Sequence, residues 1–342
     1  MSDRFFAPLG VGIIVAVLVL LTPTSASAQW TPPLTPDGRP DLQGVWVSKS
    51  ATPLERPKAL EGRESLTNDE VIELKRRAAR ILSDGKSDFP AGDGVFLAAL
   101  ANVNQFKSAT ATGGSEDMIE REFETRTSLI VDPPDGKVPP LTQEGQQVQA
   151  AVGAARLRSN PDGPEDVSAD RRCLTFGLPR VGGVFGAGPY SYYQIVQTPG
   201  YVALNMEFIH EARIIPLDGR PHLPPNVRQW NGDSRGRWEG NTLVVESSNF
   251  SPKSSFMGSA GNLHLIERFT RVAPDTLEYE VTFSDPAAWV KPWTAMLRLK
   301  QTEEKIYEVA CHEGNYYSMQ GILAGARREE KAAEEAAKSR PK

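Results

Sequence analysis

The sequence predicts a mainly β protein in which about ten antiparallel strands form a closed or nearly closed barrel. From Thr127 onward, short runs of strand-forming residues are separated by turns rich in Gly, Pro, Asp and Asn, as in antiparallel sheets. The run from Thr276 to Ser284 alternates strictly between apolar and polar side chains, so one face is core and the other meets water. Closure is favoured because this many strands in an open sheet would leave unprotected edges.

The chain has the composition of a globular protein. Its 342 residues are 39% apolar and 24% charged, which excludes wholesale disorder. The 29 Gly and 27 Pro follow no three-residue period, which excludes collagen. With 43 acidic and 38 basic residues the net charge is −5, so no basic field attracts phosphate backbones and we expect no nucleic-acid partner.

The N-terminus has the pattern of a secretory signal. Arg4 precedes the apolar core at 10–21, and Ala26-Ser27-Ala28 forms an A-x-A cleavage site. The core is short for a bilayer-spanning helix, and no later segment is long and apolar enough to span a membrane. We therefore expect a secreted or periplasmic protein with no membrane span after signal cleavage. An uncleaved N-terminal anchor is the alternative.

Export also bears on the two cysteines, Cys173 and Cys311. They are the only possible pair, and an oxidising compartment permits a disulfide between them. Closing a loop of about 140 residues would restrict the unfolded chain by roughly 5 kcal/mol in the chain-entropy model. Two separately buried thiols are the alternative.

The elements before the barrel follow from local patterns. Leu42 to Val47 is predicted as the first strand, after a Pro-rich leading segment. Thr67 and Glu70 form a capping box, and apolar residues at helical spacing predict a helix from Thr67 to Ser83. Residues 84–125 have no clear period and are predicted as a long loop.

The barrel elements are predicted from runs of alternating or strand-forming residues, with one weaker helix among them. Trp293, Ala295, Leu297 and Leu299 form an apolar row that repeats the arrangement of the neighbouring strand. The predicted elements are the strands Thr127 to Val131, Tyr192 to Gln197, Tyr201 to Phe208, Arg213 to Leu217, Arg237 to Glu239, Thr242 to Ser247, Leu263 to Val272, Thr276 to Ser284, Trp293 to Gln301 and Lys305 to His312, and a helix over Thr142 to Leu157.

Together these patterns divide the chain into four segments. They are a signal peptide at 1–28, a helical and loop elaboration packed on the barrel at 29–125, the barrel at 126–325, and a charged helical tail at 326–342.

The four histidines are the first candidates for chemistry: His210, His222, His264 and His312. The residue four after His210 is Ile214, so the H-E-x-x-H zinc motif is absent. A strand-borne metal site formed by His210, His264 and His312 remains an alternative.

Strand parity suggests an acid–base pair. If the strand from Val202 is unbroken, His210 points into the apolar interior as a candidate general base, while Glu211 and Arg213 point away. A hydrogen-bonded core histidine is the alternative. The last predicted strand places Glu313 at the inner rim as the partner acid or base, and an ordinary strand end is the alternative.

Further polar groups are candidates for holding a substrate. We expect Arg213, His264, His312 and Tyr316 to orient it. The segment from Glu211 to Trp238 is dense in charged and turn residues, and Arg213, Arg228 or Arg235 could hold a carboxylate bidentately. A solvated loop joined by Arg–Asp pairs is the alternative.

Several well-known signatures are absent from the sequence. It contains no G-x-S-x-G elbow, no Walker loop, no G-x-G-x-x-G and no C-x-x-C. We therefore predict no cofactor.

Longer motifs carry a resemblance. The chain contains Thr35-Pro-Asp-Gly-Arg-Pro-Asp-Leu-Gln-Gly-Val-Trp46, Arg126-Thr-Ser-Leu-Ile-Val-Asp-Pro-Pro-Asp-Gly136, Asp218-Gly-Arg-Pro-His222, Gly236-Arg-Trp-Glu-Gly240 followed by Thr242-Leu-Val-Val-Glu246, and Cys311-His-Glu-Gly-Asn-Tyr316. In these it resembles a large group of secreted, largely uncharacterised bacterial proteins, over most of the mature chain. That resemblance implies no particular activity.

A second resemblance concerns the first strand. Gly44-Val45-Trp46 is similar to the G-x-W opening of lipocalin-like barrels. This resemblance implies a Trp that closes the base of a barrel whose interior holds an apolar ligand. The long stretch from Ser48 to Arg126 departs from a compact lipocalin.

These observations favour an exported lipocalin-like barrel that binds a small, partly apolar organic molecule. Cofactor-free acid–base chemistry on that molecule, a lyase, hydratase or isomerase step with His210 and Glu313 as base and acid, is the expected activity. A non-catalytic ligand-binding or structural module and a metal-dependent histidine site are the alternatives.

Overall fold

The computed structural model describes residues 30–83, 94–105, 121–157, 161, 163–175, 177–178, 192–207, 209, 211–308 and 310–338. The predicted signal segment at 1–28 lies outside the described residues. The described residues from Pro32 to Lys338 belong to one compact unit.

Ten strands of the described chain form a single antiparallel sheet. The order is β5-β4-β3-β1-β10-β9-β8-β7-β6, with β2 paired to β10 beside this path. The strands are β1 (Gly44–Ser48), β2 (Ile130–Asp132), β3 (Tyr192–Thr198), β4 (Tyr201–Met206), β5 (Ala212–Pro216), β6 (Asp233–Glu239), β7 (Thr242–Ser248), β8 (His264–Ala273), β9 (Thr276–Ser284) and β10 (Trp293–Thr302). The predicted mainly β fold is confirmed.

The sheet curls into a nearly closed barrel whose two end strands, β5 and β6, meet at a seam. Side chains bridge this seam. Arg213 of β5 reaches Ser234 of β6, with 3.1 Å between Nη2 and Oγ. Gly236 lies so close to β5 that a Cβ there would come within 2.8 Å of Ile215 Cγ2. At Gly236 the backbones of β5 and β6 therefore leave no room for a side chain, whereas near Ser234 side chains fit between the two strands.

Alternating rows of side chains fill the interior as predicted. Leu277, Tyr279, Val281 and Phe283 are buried, and β10 places its own apolar row opposite them, with Trp293 paired to Phe283 and Leu297 to Tyr279. Trp46 is fully buried near one end of the barrel, where its Nε1 donates to Leu42 O at 2.8 Å. Phe283 and Trp293 stack near the opposite end, with ring centroids 3.8 Å apart.

Helix α1 (Asn68–Ser83) and helix α2 (Gly94–Leu100) pack on each other outside the barrel. The predicted capping box is present: the Thr67 amide donates to Glu70 Oε2 at 2.8 Å, and the Glu70 amide donates to Thr67 Oγ1 at 3.2 Å. Helix α2 corrects the predicted long loop at 84–125 where that segment is described, while 84–93 and 106–120 lie outside the described residues. Its seven residues are too few to display a helical period, and burial of Phe96 against α1 stabilises it.

The two remaining helices of the described chain are α3 (Gln143–Leu157), as predicted, and α4 (Cys311–Lys338). The predicted strand Lys305 to His312 is wrong, because α4 begins at Cys311 and residues 303–308 have no regular structure. The eight residues of the predicted strand suggested a period of two, whereas the apolar side chains that follow recur every three or four residues. The helical tail predicted from 326 is thus the second half of α4. No helix in the described ranges is both long and apolar enough to cross a membrane.

Candidate functional site

Cys173 and Cys311 form the predicted disulfide, with 5.8 Å between their Cα atoms. The bond joins the segment 163–175 to the first residue of helix α4. Disulfides persist in oxidising compartments, so the bond agrees with the predicted site of export.

A cleft of about 860 Å³ lies at the β5–β6 seam. One wall comes from Ile209, Glu211 and strand β5, and a second from residues 228–235, which lead into β6. The third wall is the disulfide region, where Cys173, Leu174 and His312 line the space. The cleft is thus built by three parts of the chain that are distant in sequence.

Arg213 lies at the inner end of this cleft and belongs to a buried polar network. Its guanidinium binds the Glu267 carboxylate through two contacts, 3.0 Å from Nη1 to Oε1 and 2.6 Å from Nη2 to Oε2. Nη2 also donates to the hydroxyls of Ser234 and Ser247, each at 3.1 Å. Tyr279 donates to Glu267 Oε1 at 2.9 Å. The network occupies the middle of the barrel and connects it to the cleft.

The ionisation of this network follows from its burial. The side chains of Arg213 and Glu267 are only 6% and 1% exposed. Burial by itself lowers the pKa of the Arg213 guanidinium, but the attraction of Glu267 outweighs it and leaves that pKa above its ordinary value. Burial and the negative Glu267 raise the pKa of Tyr279 well above its ordinary value. The guanidinium is therefore charged and the phenol stays protonated.

A second buried carboxylate, Glu211, lines the cleft next to β5. Asn231 Nδ2 donates to Glu211 Oε1 at 3.1 Å, and Thr175 Oγ1 donates to Asn231 Oδ1 at 2.8 Å. The threonine fixes the orientation of the amide, so that its NH2 group faces the carboxylate. This chain of hydrogen bonds ties the disulfide-bearing segment to the floor of the cleft.

Asp233 holds the loop before β6 in place. Its carboxylate accepts from the Leu223 amide at 2.8 Å and from Arg235 Nη1 at 2.6 Å, and lies 3.0 Å from His222 Nδ1. Burial by itself raises the pKa of Asp233, but these three partners together lower it below its ordinary value. The aspartate is thus ionised and neutralises Arg235.

Arg228 differs from the other two arginines of the cleft. Arg213 and Arg235 each have a carboxylate partner, Glu267 and Asp233. The described partners of Arg228 are backbone carbonyls, those of Phe250 and Gly261, to which Nη1 donates. Carbonyls accept hydrogen bonds but do not neutralise charge, and Arg228 is exposed, so a bound anion could reach its guanidinium.

The cleft also has apolar walls, formed by Leu174, Ile209, Ile214, Pro216 and Trp230. Among them, Ile214 is 60% exposed. The site thus combines three arginines, the carboxylates of Glu211 and Asp233, and apolar surface.

The structure brings together only some of the predicted site residues. Arg213 and His312 line the cleft, together with Arg228 and Arg235. His210 lies outside the described residues. Its parity argument assumed an unbroken strand, whereas β4 ends at Met206 and Ile209 has a φ of 58°. Arg213, predicted to point away from the interior, therefore points into it.

The other predicted site residues lie elsewhere. Glu313 is exposed in the first turn of α4, so its predicted place at an inner rim is wrong. Tyr316 is 62% exposed and accepts a hydrogen bond from Gln320 Nε2. His264 does not line the cleft, and its Nε2 lies 2.7 Å from Glu246 Oε1.

The metal alternative gains no support from the described part of the chain. No group of three or more His, Cys, Asp or Glu side chains there is arranged to hold a metal ion. His312 lines the cleft and His264 does not, while the third proposed ligand, His210, is not described.

Sequence reasoning missed Glu267 and the role of Glu211. A signal for Glu267 existed: it shares the parity of Leu265 and Phe269 in β8, so a charged residue interrupts an apolar row. Such a residue needs a buried partner of opposite charge. No comparable signal identified Glu211, because the break at Ile209 reverses the parity.

Comparison of the chain with protein-family models, curated proteins and solved structures gave no match. The resemblance to secreted bacterial proteins and to lipocalin-like barrels remains a prediction.

Proposed function

We propose that this protein binds a small, partly apolar organic molecule with a carboxylate or similar anionic group in the cleft at the β5–β6 seam. The observation that carries the proposal is the pairing of Arg228, whose described partners are carbonyls, with the apolar side chains around it. The volume, about 860 Å³, falls in the range of small-molecule sites.

The chemistry around Arg228 favours an anionic ligand, since the described partners of this arginine carry no charge. Glu267 and Asp233 already compensate Arg213 and Arg235, so these two arginines mainly shape the cleft. A ligand carboxylate near Arg228 would supply the missing negative charge and accept charge-assisted hydrogen bonds. Leu174, Ile209 and Trp230 would cover the apolar body of the ligand.

Acid–base chemistry on the bound molecule is a second candidate function. Glu211 supports it, because this buried carboxylate lines the cleft and is oriented by Asn231 and Thr175. A base held by a second group is the usual arrangement for proton abstraction. In that version Glu211 takes the role that the sequence suggested for Glu313, in a lyase, hydratase or isomerase step.

We also propose that the protein is secreted or periplasmic. The signal pattern at 1–28 supports this location, and disulfides are typical of proteins in oxidising compartments. The motif resemblance to secreted bacterial proteins points to the same location.

Paired ligands test the binding proposal. The oxidised protein is titrated in a calorimeter with 4-phenylbutyrate, with shorter and longer aryl carboxylates, and with the primary amide of each. We expect each bound carboxylate to bind about tenfold more tightly than its amide, since a charged hydrogen bond is worth at least ~1.5 kcal/mol.

Two variants test whether the preference for carboxylates over amides arises in the cleft. Arg228→Gln should remove this preference. The matched control, Arg237→Gln, replaces an exposed arginine of β6 that is paired with Glu239 and does not line the cleft, and should retain it. Equal affinities for acids and amides in the wild type, or an unchanged preference in Arg228→Gln, would contradict the proposal.

A further inference from the structure

We propose that the Cys173–Cys311 disulfide is a redox latch of the cleft, whose reduction releases the start of helix α4 and weakens ligand binding. The proposal rests on the proposed ligand-binding function for its consequence, and on the geometry of the disulfide for the release itself. It assigns the bond a regulatory role in addition to its effect on stability.

The disulfide is part of the cleft wall. Cys173 lines the cleft. Leu174, which follows Cys173, and His312, which follows Cys311, line it too. The two cysteines are 138 residues apart in sequence. One covalent bond therefore sets the relative position of two wall elements that the chain does not otherwise place side by side.

On the Cys173 side, the described ion pairs are mostly exposed, and the buried residues of the segment are Val167, Cys173 and Thr175. Glu165 binds Lys253 at 2.7 Å and Arg172 at 3.3 Å, but Glu165 and Lys253 are more than half exposed. Exposed ion pairs contribute little to stability. The contact to the cleft floor is the hydrogen bond from Thr175 to Asn231.

On the Cys311 side, helix α4 buries little surface. Among its described side chains, Ala326 alone is buried, and Met319, Ile322 and Leu323 are half-buried. A helix with so little buried area gains little stability from packing. The covalent bond at Cys311 therefore restrains the first turn of the helix.

A dithiol reductant would reduce the Cys173–Cys311 disulfide. One of its thiolates attacks Sγ of Cys311, because Cys311 is half-buried whereas Cys173 is almost fully buried. The S–S bond breaks, a mixed disulfide forms, and Cys173 leaves as a thiolate that takes up a proton. The second thiol of the reductant then displaces Cys311 as a thiol. Two electrons and two protons pass to the protein, and the reductant becomes a disulfide.

The barrel should survive reduction. The Arg213–Glu267 network and the apolar rows lie inside the sheet, and the disulfide joins segments outside it. Release should therefore affect segment 163–175 and helix α4, and with them one wall of the cleft, while strands β7 to β9 stay protected.

Hydrogen exchange tests the release without any ligand. The full-length protein is compared before and after incubation with dithiothreitol, and with the Cys173→Ser/Cys311→Ser double variant. We expect at least tenfold faster exchange in segment 163–175 and in the first half of α4 in both reduced and variant proteins, with β7 to β9 unchanged. Equal exchange in the oxidised and reduced proteins would overturn the proposal.

Calorimetry with 4-phenylbutyrate then tests the consequence. Reduction should weaken binding at least fivefold, whereas dithiothreitol should not change the affinity of the double variant. His312→Ala, with the disulfide intact, should lose less affinity than reduction does, because Leu174 stays in place.

The outcomes separate the two proposals. Equal binding by oxidised and reduced protein overturns the latch and leaves the proposed function standing. Faster exchange on reduction without binding by either form supports the release and counts against the proposed ligand. A barrel that unfolds on reduction, seen as faster exchange throughout β7 to β9, also overturns the latch.

Discussion

Replacing Glu267 by Gln tests whether the buried network is a true ion pair. The substitution preserves the shape of the side chain and removes its charge. One amide oxygen can still accept from Arg213 or Tyr279, but the amide NH2 group faces guanidinium N–H donors and cannot accept from them. Arg213 would remain buried with its charge uncompensated.

The geometry gives the size of the effect. At an effective dielectric constant of about 20, two unit charges about 4 Å apart attract by about 4 kcal/mol. Breaking a buried pair by removing one partner typically costs about 3–5 kcal/mol, and both side chains here are almost fully buried. We therefore expect Glu267→Gln to lower the free energy of unfolding by about 3–5 kcal/mol.

Urea unfolding of the oxidised proteins, followed by tryptophan fluorescence and circular dichroism, measures this loss. The matched control is Glu246→Gln, which removes a carboxylate that is 39% exposed and bonded to His264, and should cost less than about 1 kcal/mol. The double variant Arg213→Met/Glu267→Leu removes both charges together. Its loss in the free energy of unfolding should be about 2 kcal/mol or more smaller than the sum of the losses measured for the two single variants. Similar losses for Glu267→Gln and the control would refute the reasoning.

Two further predictions concern the seam. Asp233→Asn should lower the free energy of unfolding by about 1–3 kcal/mol near neutral pH and flatten its dependence on pH in acid, as measured by urea unfolding at several pH values. The sign follows from the pKa of Asp233, which is lower in the folded protein than in the unfolded chain. The stability that Asp233 contributes is present above the unfolded pKa of about 3.9 and is lost as pH falls. An equally steep loss of stability in acid in the variant would contradict this. Gly236→Ala should destabilise by about 1–3 kcal/mol, because the added Cβ would lie 2.6 Å from Leu217 Cδ2. Gly200→Ala meets no atom within 4 Å and is the control; equal effects of the two substitutions would show that the seam is not tight.

Period-two alternation predicted most of the barrel because burial on one face of a sheet constrains every second residue. Strand β9 was predicted with the bounds it has, and its apolar row faces that of β10 in register. Helix α1 was predictable for a similar reason, since its cap and its apolar stripe are both local.

Parity arguments failed where the backbone departs from a regular strand. At Ile209 a positive φ separates β4 from β5, and the inward residues change from those expected to Arg213 and Ile215. A single irregular residue reverses all later assignments, and side-chain types alone do not reveal it. The candidate site was therefore only partly predictable.

The last predicted strand failed for a different reason. Its alternation covers too few residues to distinguish a strand from the approach to a helix, and Cys311 begins that helix under the constraint of a distant cysteine. The pairing of Cys173 with Cys311 was predictable from their number and from the predicted export. Its place in the wall of a cleft depends on the tertiary fold.

The most direct test of the proposed function is to locate a bound carboxylate. Backbone amide resonances of the oxidised protein are followed by NMR during titration with 4-phenylbutyrate and the related aryl carboxylates. We predict shifts confined to residues 211–216, 228–235 and those beside Cys173 and Cys311, with Arg228→Gln abolishing them. Shifts centred on the Trp46 end of the barrel, or none with any carboxylate, would contradict the proposed site.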